Sequence, residues 1–259
     1  MRYLFQRVFV VVISLTAATY SQTQTENERL AAITNNEGVT QFKNGDYDQA
    51  LKSFKRAIEI FPKDPAFHRN LGHLYLELND LTQSAASYRD ALNLQPDHAV
   101  TLNQFGAVMM EAHRYKEALD SFRTADALEP NDAIILFNLG NALLHLEDFK
   151  GAGPYLERAR SLAPANARIR VGLGYCYARR SKLDMAIAEV RKATELNPSD
   201  QDVQFFLGNL FVANRDKDAA IAQQRKISAF NPDLAHKLYL LINSDKLLIV
   251  PPETGGGRR

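Results

Sequence analysis

The chain has one cysteine, Cys176, and no tryptophan. A single thiol excludes an intramolecular disulfide. Cys176 also lies in the apolar stretch Val171 to Ala178, which reads as a small buried hydrophobe rather than a reactive group. Charge imbalance is missing too: 31 Lys and Arg stand against 30 Asp and Glu, a net charge of +1. Binding nucleic acid by neutralising phosphates needs a gathered basic excess, and here Lys and Arg are scattered. The same scatter leaves no polybasic patch for a membrane surface. Catalytic signatures are also lacking. His68, His73, His98, His113, His145 and His236 form no HExxH pair and no Cys/His cluster. There is no P-loop and no GxSxG elbow. Gly172-Leu173-Gly174 lacks the strand and the further glycine of a dinucleotide loop. These absences point away from an enzyme, and no metal or cofactor is expected.

What the chain does have is a period. Gly38, Gly72, Gly106, Gly140, Gly174 and Gly208 are 34 residues apart, and Pro62, Pro96, Pro130, Pro164, Pro198 and Pro232 keep the same step. A fixed period of this size marks a solenoid of stacked supersecondary units. No spacer interrupts it, so one array is expected over six units: 31–64, 65–98, 99–132, 133–166, 167–200 and 201–234. In the third unit Leu102, Phe105, Gly106 and Met109 line one helix face, and Ala118, Phe122, Ala125 and Leu128 line a second. The polar run His113-Arg114-Tyr115-Lys116 separates them. Asp64 followed by Pro65 reads as an N-cap with proline at the first helical position. Glycine inside a helix costs about 1 kcal/mol against alanine, and close helix contact is the simplest reason to repeat that cost. Ala50, Ala118, Ala152, Ala186 and Ala220 hold a matching place on the second helices. Gly151, Gly153 and Pro154 predict a second helix that starts late, at Pro154, and a soft junction between units four and five.

These residues resemble the tetratricopeptide repeat. The second unit shows Leu71-Gly72, Tyr75, Tyr88, Ala91 and Pro96, with Ser84 in the first alanine place. The fourth shows Leu139-Gly140, Leu143, Ala152, Leu156, Ala159 and Pro164. The resemblance implies an all-α fold, a right-handed superhelical α-solenoid of helix-turn-helix repeats. It also implies a concave groove lined by the first helices. In the sixth unit Gln224 and Ile227 replace the family's aromatic and alanine. Leu238, Leu241 and Ile242 suggest a capping helix over 235–250, of the kind the family often carries.

The flanks are read separately. Arg2 and Arg7 precede an apolar run, Val8 to Ala18, with small residues after it. This is the layout of a secretory signal peptide over 1–21, with an uncleaved N-terminal anchor as the alternative. Residues 22–30 read as a flexible lead. The protein is therefore expected to be extracytoplasmic, periplasmic or secreted, without stable membrane insertion after cleavage. Pro251-Pro252-Glu253-Thr254-Gly255 resembles a sorting signal, but it has proline where that signal has leucine and no hydrophobic stretch follows. A disordered Gly/Arg tail is expected over 251–259.

Candidate binding residues come from the groove stripe. Asn35, Arg69, Asn103, Phe137, Val171 and Phe205 recur on it, and Val39, His73, Ala107, Asn141, Tyr175 and Asn209 follow one turn on. The later half combines Ile134, Phe137, Leu144, Tyr175 and Phe205 with Arg168 and Arg179, which suits an extended peptide with hydrophobic side chains. Asn36, Asn70, Gln104 and Asn138 form an amide ladder. A similar ladder in O-linked N-acetylglucosamine transferases holds peptide backbone, and each amide offers one donor and one acceptor group. No transferase half follows, so catalysis is not implied. The family's carboxylate clamp is poorly matched, since only Asn138 and Arg168 fall suitably. The expected function is a non-catalytic scaffold that holds a partner protein or peptide in an extracytoplasmic assembly or secretion context. Two alternatives stay open: an accessory substrate-recognition subunit of a glycosyltransferase or other envelope enzyme, and a structural protein that self-assembles through its C-terminal cap.

Overall fold

A computed structural model describes the backbone of residues 2–244 and the side chains of residues 23–244. The leader expected at 1–21, the end of the expected cap and the tail at 251–259 therefore lie outside the described side chains. Among the described residues there are thirteen helices and no strand. They are α1 (Arg2–Lys43), α2 (Tyr47–Ile60), α3 (Pro65–Glu77), α4 (Leu81–Leu94), α5 (Ala99–Glu111), α6 (Tyr115–Leu128) and α7 (Ala133–His145). Then follow α8 (Phe149–Leu162), α9 (Ala167–Arg179), α10 (Leu183–Leu196), α11 (Gln201–Ala213), α12 (Lys217–Ser228) and α13 (Pro232–Ile242). The architecture is an α-solenoid of helix-turn-helix repeats. Two compact units divide the chain, residues 1–108 and 109–259. In the first, α1 pairs with α2 and α3 with α4, and α2 packs on α3. In the second, α7 pairs with α8, α9 with α10 and α11 with α12, and α13 packs on α12 and α11.

Local signals explain where the helices stop and start. Asp64 accepts from the Ala66 N–H at 2.8 Å, with Pro65 opening α3. Asp132 caps α7 through Ile134 and Ile135, and Asp80, Asp148, Asn166, Asp200, Asp216 and Asn231 cap six other helices with their side chains. Each turn inside a hairpin also carries a left-handed residue: Gly45, then Asn79, His113, Glu147, Ser181 and Arg215, with φ between 58° and 83°. The N–H after it returns to the last turn of the preceding helix, as Asp80 does to the Tyr75 carbonyl at 2.8 Å and Asp148 to Leu143 at 2.9 Å.

The glycines make room for a large side chain. A Cβ on Gly38 would overlap the Phe54 ring, one on Gly72 would press on Tyr88, and one on Gly140 would overlap Leu156. Val190 fills that role over Gly174. Ala50, Ala152 and Ala186, one helical turn before Phe54, Leu156 and Val190, are fully buried beside them. The sixth pair departs from this rule. Gln224 supplies no bulk, and Leu238 of α13 occupies the space over Gly208 instead. Leu238 forms a core with Ile227 and Ala235. The cap therefore begins at Pro232 rather than at 235, and it completes the last hairpin.

Two sequence expectations need correction. Residues 22–30 are helical and continuous with the rest of α1, not a flexible lead. No proline or glycine interrupts the chain between Arg2 and Glu37, and Glu, Arg, Leu and Ala all favour helix there. The second correction concerns α8, which starts at Phe149 and not at Pro154. Asp148 caps it by accepting from the Gly151 N–H at 2.8 Å, so the helix begins before the proline and Pro154 lies inside it. Pro154 has no N–H for the Lys150 carbonyl, but its ring projects into solvent.

A part-buried ion cluster ties three helices together. Glu189 of α10 accepts from Arg160 of α8 at 2.5 Å and from Arg170 of α9 at 2.7 Å. Beside it the buried Tyr177 hydroxyl donates to Glu157 at 2.9 Å. Burial first, then the hydrogen bond to Glu157 and its charge, push the Tyr177 phenol up to about 12.

Two predictions follow from this packing. Gly140→Ala places a methyl 2.5 Å from Leu156 Cγ and should destabilise by about 1–3 kcal/mol. Gly172→Ala, whose nearest neighbour is Phe137 at 3.4 Å, should be neutral or stabilise by up to about 1 kcal/mol. Urea denaturation of the two variants reads the difference, and equal effects would refute the close-approach assignment. A raised phenol favours the folded state below the unfolded tyrosine value near 10, and that contribution disappears as pH rises towards about 12. Thermal melts of wild type and Tyr177→Phe at pH 8 and pH 11 should show the wild type losing more stability over that interval.

Candidate functional site

The first helix of each hairpin carries the candidate residues. In residues 1–108, Asn36 is exposed on α1, Asn70 is half-buried on α3 and Gln104 is half-buried on α5. Asn70 donates its Nδ2 to Asn35 Oδ1 at 2.9 Å. Asn35, expected on the open stripe, is buried. Half-buried Arg69 has its Nη1 closed off from solvent with no acceptor. His73 is exposed, 3.6 Å from Glu77 and tilted against the Phe42 ring at 5.1 Å.

Residues 109–259 hold the rest. Arg168 and Arg179 are exposed, and Asn138, Asn141, Tyr175 and Phe205 are half-buried. The Arg168 guanidinium lies 5.5 Å from the centre of the Phe137 ring. Arg179 lies 4.2 Å from the Phe149 ring centre and 5.7 Å from that of Tyr175, and it donates to the Tyr175 hydroxyl at 2.8 Å. Phe149 meets Tyr175 edge to face at 6.1 Å, and Tyr175 meets Phe206 at 6.4 Å. The structure thus joins Tyr175 to Arg179 and Phe137 to Arg168. It separates Phe205 from them, packing it against the Ile227–Ala235–Leu238 core.

Several residues expected to line an open groove do not. Phe137, Leu144 and Val171 are buried, and Asn209 is only 3% exposed. The stripe was drawn from spacing on one helix, but each first helix packs against its own partner helix and against the preceding hairpin. Two contact faces leave a narrower strip for solvent than one. Phe149, at the start of α8, was missed. Its signal was present, because Tyr47, Leu81, Tyr115 and Leu183 stand at the same repeat position. Tyr115 plays a related part, stacked on His145 at 4.6 Å and hydrogen-bonded to His113 Nδ1 at 2.8 Å. Burial and the neighbouring His113 lower the His145 pKa.

The chemistry on offer is hydrogen bonding and charge. Exposed guanidinium groups over rings keep free donors while the rings hold them in place. Asn209 differs, because neither its Nδ2 nor its Oδ1 has a partner. Cys176 is buried, burial pushes its thiol up, and its Sγ donates to the Phe149 carbonyl at 3.1 Å. Among the described residues no group of three His, Cys, Asp or Glu could hold a metal ion.

The tetratricopeptide repeat model matches residues 35–99, 108–167, 147–200 and 177–235. The chain belongs to the tetratricopeptide repeat family. Among solved structures it is similar to YrrB, a TPR protein with an unusual peptide-binding site. The two are 29% identical with a TM-score of 0.62, over 73% of this chain and 99% of that one. It also shares its fold with PilW, a type IV pilus biogenesis factor, at 22% identity and a TM-score of 0.73 over 81% of this chain and 98% of that one. PilF of Pseudomonas aeruginosa is similar at 20% identity and a TM-score of 0.70, over 83% of this chain and 98% of that one. No curated protein matches the chain.

In a tetratricopeptide repeat array the residue after the grid glycine can be polar or apolar, as Val39, His73 and Asn209 show here. A buried amide with no partner costs about 1–3 kcal/mol relative to a satisfied one. Asn209→Leu, close to isosteric, should therefore raise stability by about 1 kcal/mol or more. Chemical denaturation checks this, and a loss of stability would show that the amide is satisfied in solution.

Proposed function

We propose that this chain is a non-catalytic scaffold whose first-helix face on α7, α9 and α11 binds an extended peptide segment of a partner protein. The observation that carries it is the pair of exposed arginines held over rings, Arg168 on Phe137 and Arg179 on Tyr175 and Phe149. Half-buried Asn138 and Asn141 lie on α7 near the same stripe. With Phe137 and Leu144 buried, the face favours a ligand rich in carbonyl and carboxylate acceptors over one anchored by apolar side chains. YrrB, itself a peptide-binding protein, supports the same class of partner.

The setting is extracytoplasmic, within an assembly or secretion system. That placement rests on Arg2, Arg7 and the apolar run Val8 to Ala18 as a leader. Among the described residues no helix is long and apolar enough to cross a membrane.

The test is panning a displayed random-peptide library on the purified chain, then titrating a selected peptide against variants. Arg168→Glu combined with Arg179→Glu should weaken binding at least about tenfold while helix content by circular dichroism stays unchanged. Selection of no peptide, or equal affinity for wild type and the double variant, would remove this assignment.

A further inference from the structure

The three arginines of α9 differ in what holds them. Arg170 pairs with Glu189 at 2.7 Å. Arg168 and Arg179 lie over rings, and among the described residues no carboxylate stands within ion-pair distance of either. Held in place and unpaired, each can meet a partner's carboxylate with its remaining N–H donors. Residues 168 and 179 are eleven positions apart, about three turns of helix. Both side chains therefore leave α9 on the same side, with roughly 16 Å between their origins. One turn after Arg168 stands Gly172, so no side chain rises between Arg168 and Tyr175 on that stripe.

The neighbouring helix supplies what lies between the two charges. α7 packs on α9 and runs in the same direction. Phe137, near the start of α7, meets Arg168, and Phe149, just past its end, meets Arg179. Asn138 and Asn141 follow Phe137 and precede the end of α7 at His145. The two half-buried amides thus stand between the levels of the two guanidinium groups along one seam. An amide side chain offers both a donor and an acceptor. The main-chain groups of an extended segment need such partners, whereas those of a helix already bond to one another.

We infer that the segment bound here is an extended chain carrying two acidic side chains about five residues apart, one for Arg168 and one for Arg179, with its main chain against Asn138 and Asn141. The spacing follows from the ruler that α9 provides. An extended chain advances about 3.3 Å per residue, so about five residues cover roughly 16 Å. A helical ligand, at about 1.5 Å per residue, would need its acids about eleven apart and would leave the amides without main-chain partners. The inference rests on the reading of this face as the peptide site and adds to it the charge pattern of the peptide.

Fluorescence anisotropy with labelled synthetic peptides tests this on the full chain. The peptides are built of serine, threonine and glutamine and differ only in the placing of two glutamates, which stand two, five or eleven residues apart. The spacing of five should bind tightest, by about threefold to tenfold over either other peptide at low salt. Arg168→Gln and Arg179→Gln should each cost that peptide a similar factor. Changing one of its glutamates to glutamine should then cost nothing further in the variant that lacks the matching arginine. Both arginines are exposed, and circular dichroism checks that the variants fold. Equal affinity or no binding at all three spacings, tightest binding at eleven, or no loss in either variant would each overturn the inference. If library panning selects peptides that need Arg168 and Arg179 while spacing has no effect, the peptide face stands and the two-acid pattern falls. If panning selects none, the face falls and the pattern with it.

Discussion

Everything in this chain depends on a large side chain entering the space that a missing Cβ leaves. Phe54 over Gly38, Tyr88 over Gly72, Leu156 over Gly140 and Val190 over Gly174 lock hairpin after hairpin. Burying one such side chain contributes about 1.5–3 kcal/mol, more than the roughly 1 kcal/mol that a helical glycine costs. The balance is local and repeats from one hairpin to the next. It also fixes which side chains are free. A residue on a first helix is available to a partner only if it avoids its own second helix and the hairpin before it. Arg168 and Arg179 meet that condition, while Phe137 and Val171 do not.

The turns show the same subordination of local preference to packing. Gly45 suits a positive φ, and Asn79 tolerates it, but Glu147, Ser181 and Arg215 have no intrinsic liking for it. They adopt it because the following N–H closes onto the helix end, as Asp148 does onto Leu143 and Asp216 onto Phe211. A propensity scale sees nothing at these positions. Only the fixed interval between hairpins marks them, and the interval is visible in the sequence once the glycines are aligned.

The repeat and the helix pairs were legible because the grid residues recur at a fixed interval and the helix starts rest on local bonds. The Asp64–Pro65 start is of that kind, since its capping bond lies within three residues. The candidate face was less legible because exposure is set by neighbours far away in sequence. Asn209 looked like an open amide and is enclosed; Leu144 looked like a groove residue and is core. Pro154 failed for a related reason. Its penalty falls on the one hydrogen bond to the Lys150 carbonyl, while the Asp148 cap on Gly151 sets the start of α8 at Phe149, five residues earlier. Phe149 went unseen because its partner, Arg179, is 30 residues away on the next hairpin's first helix.

The last hairpin carries a consequence for how the chain ends. Gln224 cannot fill the space over Gly208, so the bulk arrives from Leu238 on another helix. That makes α13 part of the sixth hairpin's core rather than a lid laid over it. Phe205 and Val212 of α11 pack against the same Ile227–Ala235–Leu238 cluster. Asn209 lies one turn from each of them on the same helix. The unsatisfied amide and the cap therefore share α11. Leu238 thus packs the same helix on which Asn209 is enclosed, while Arg168 and Arg179 sit on α9.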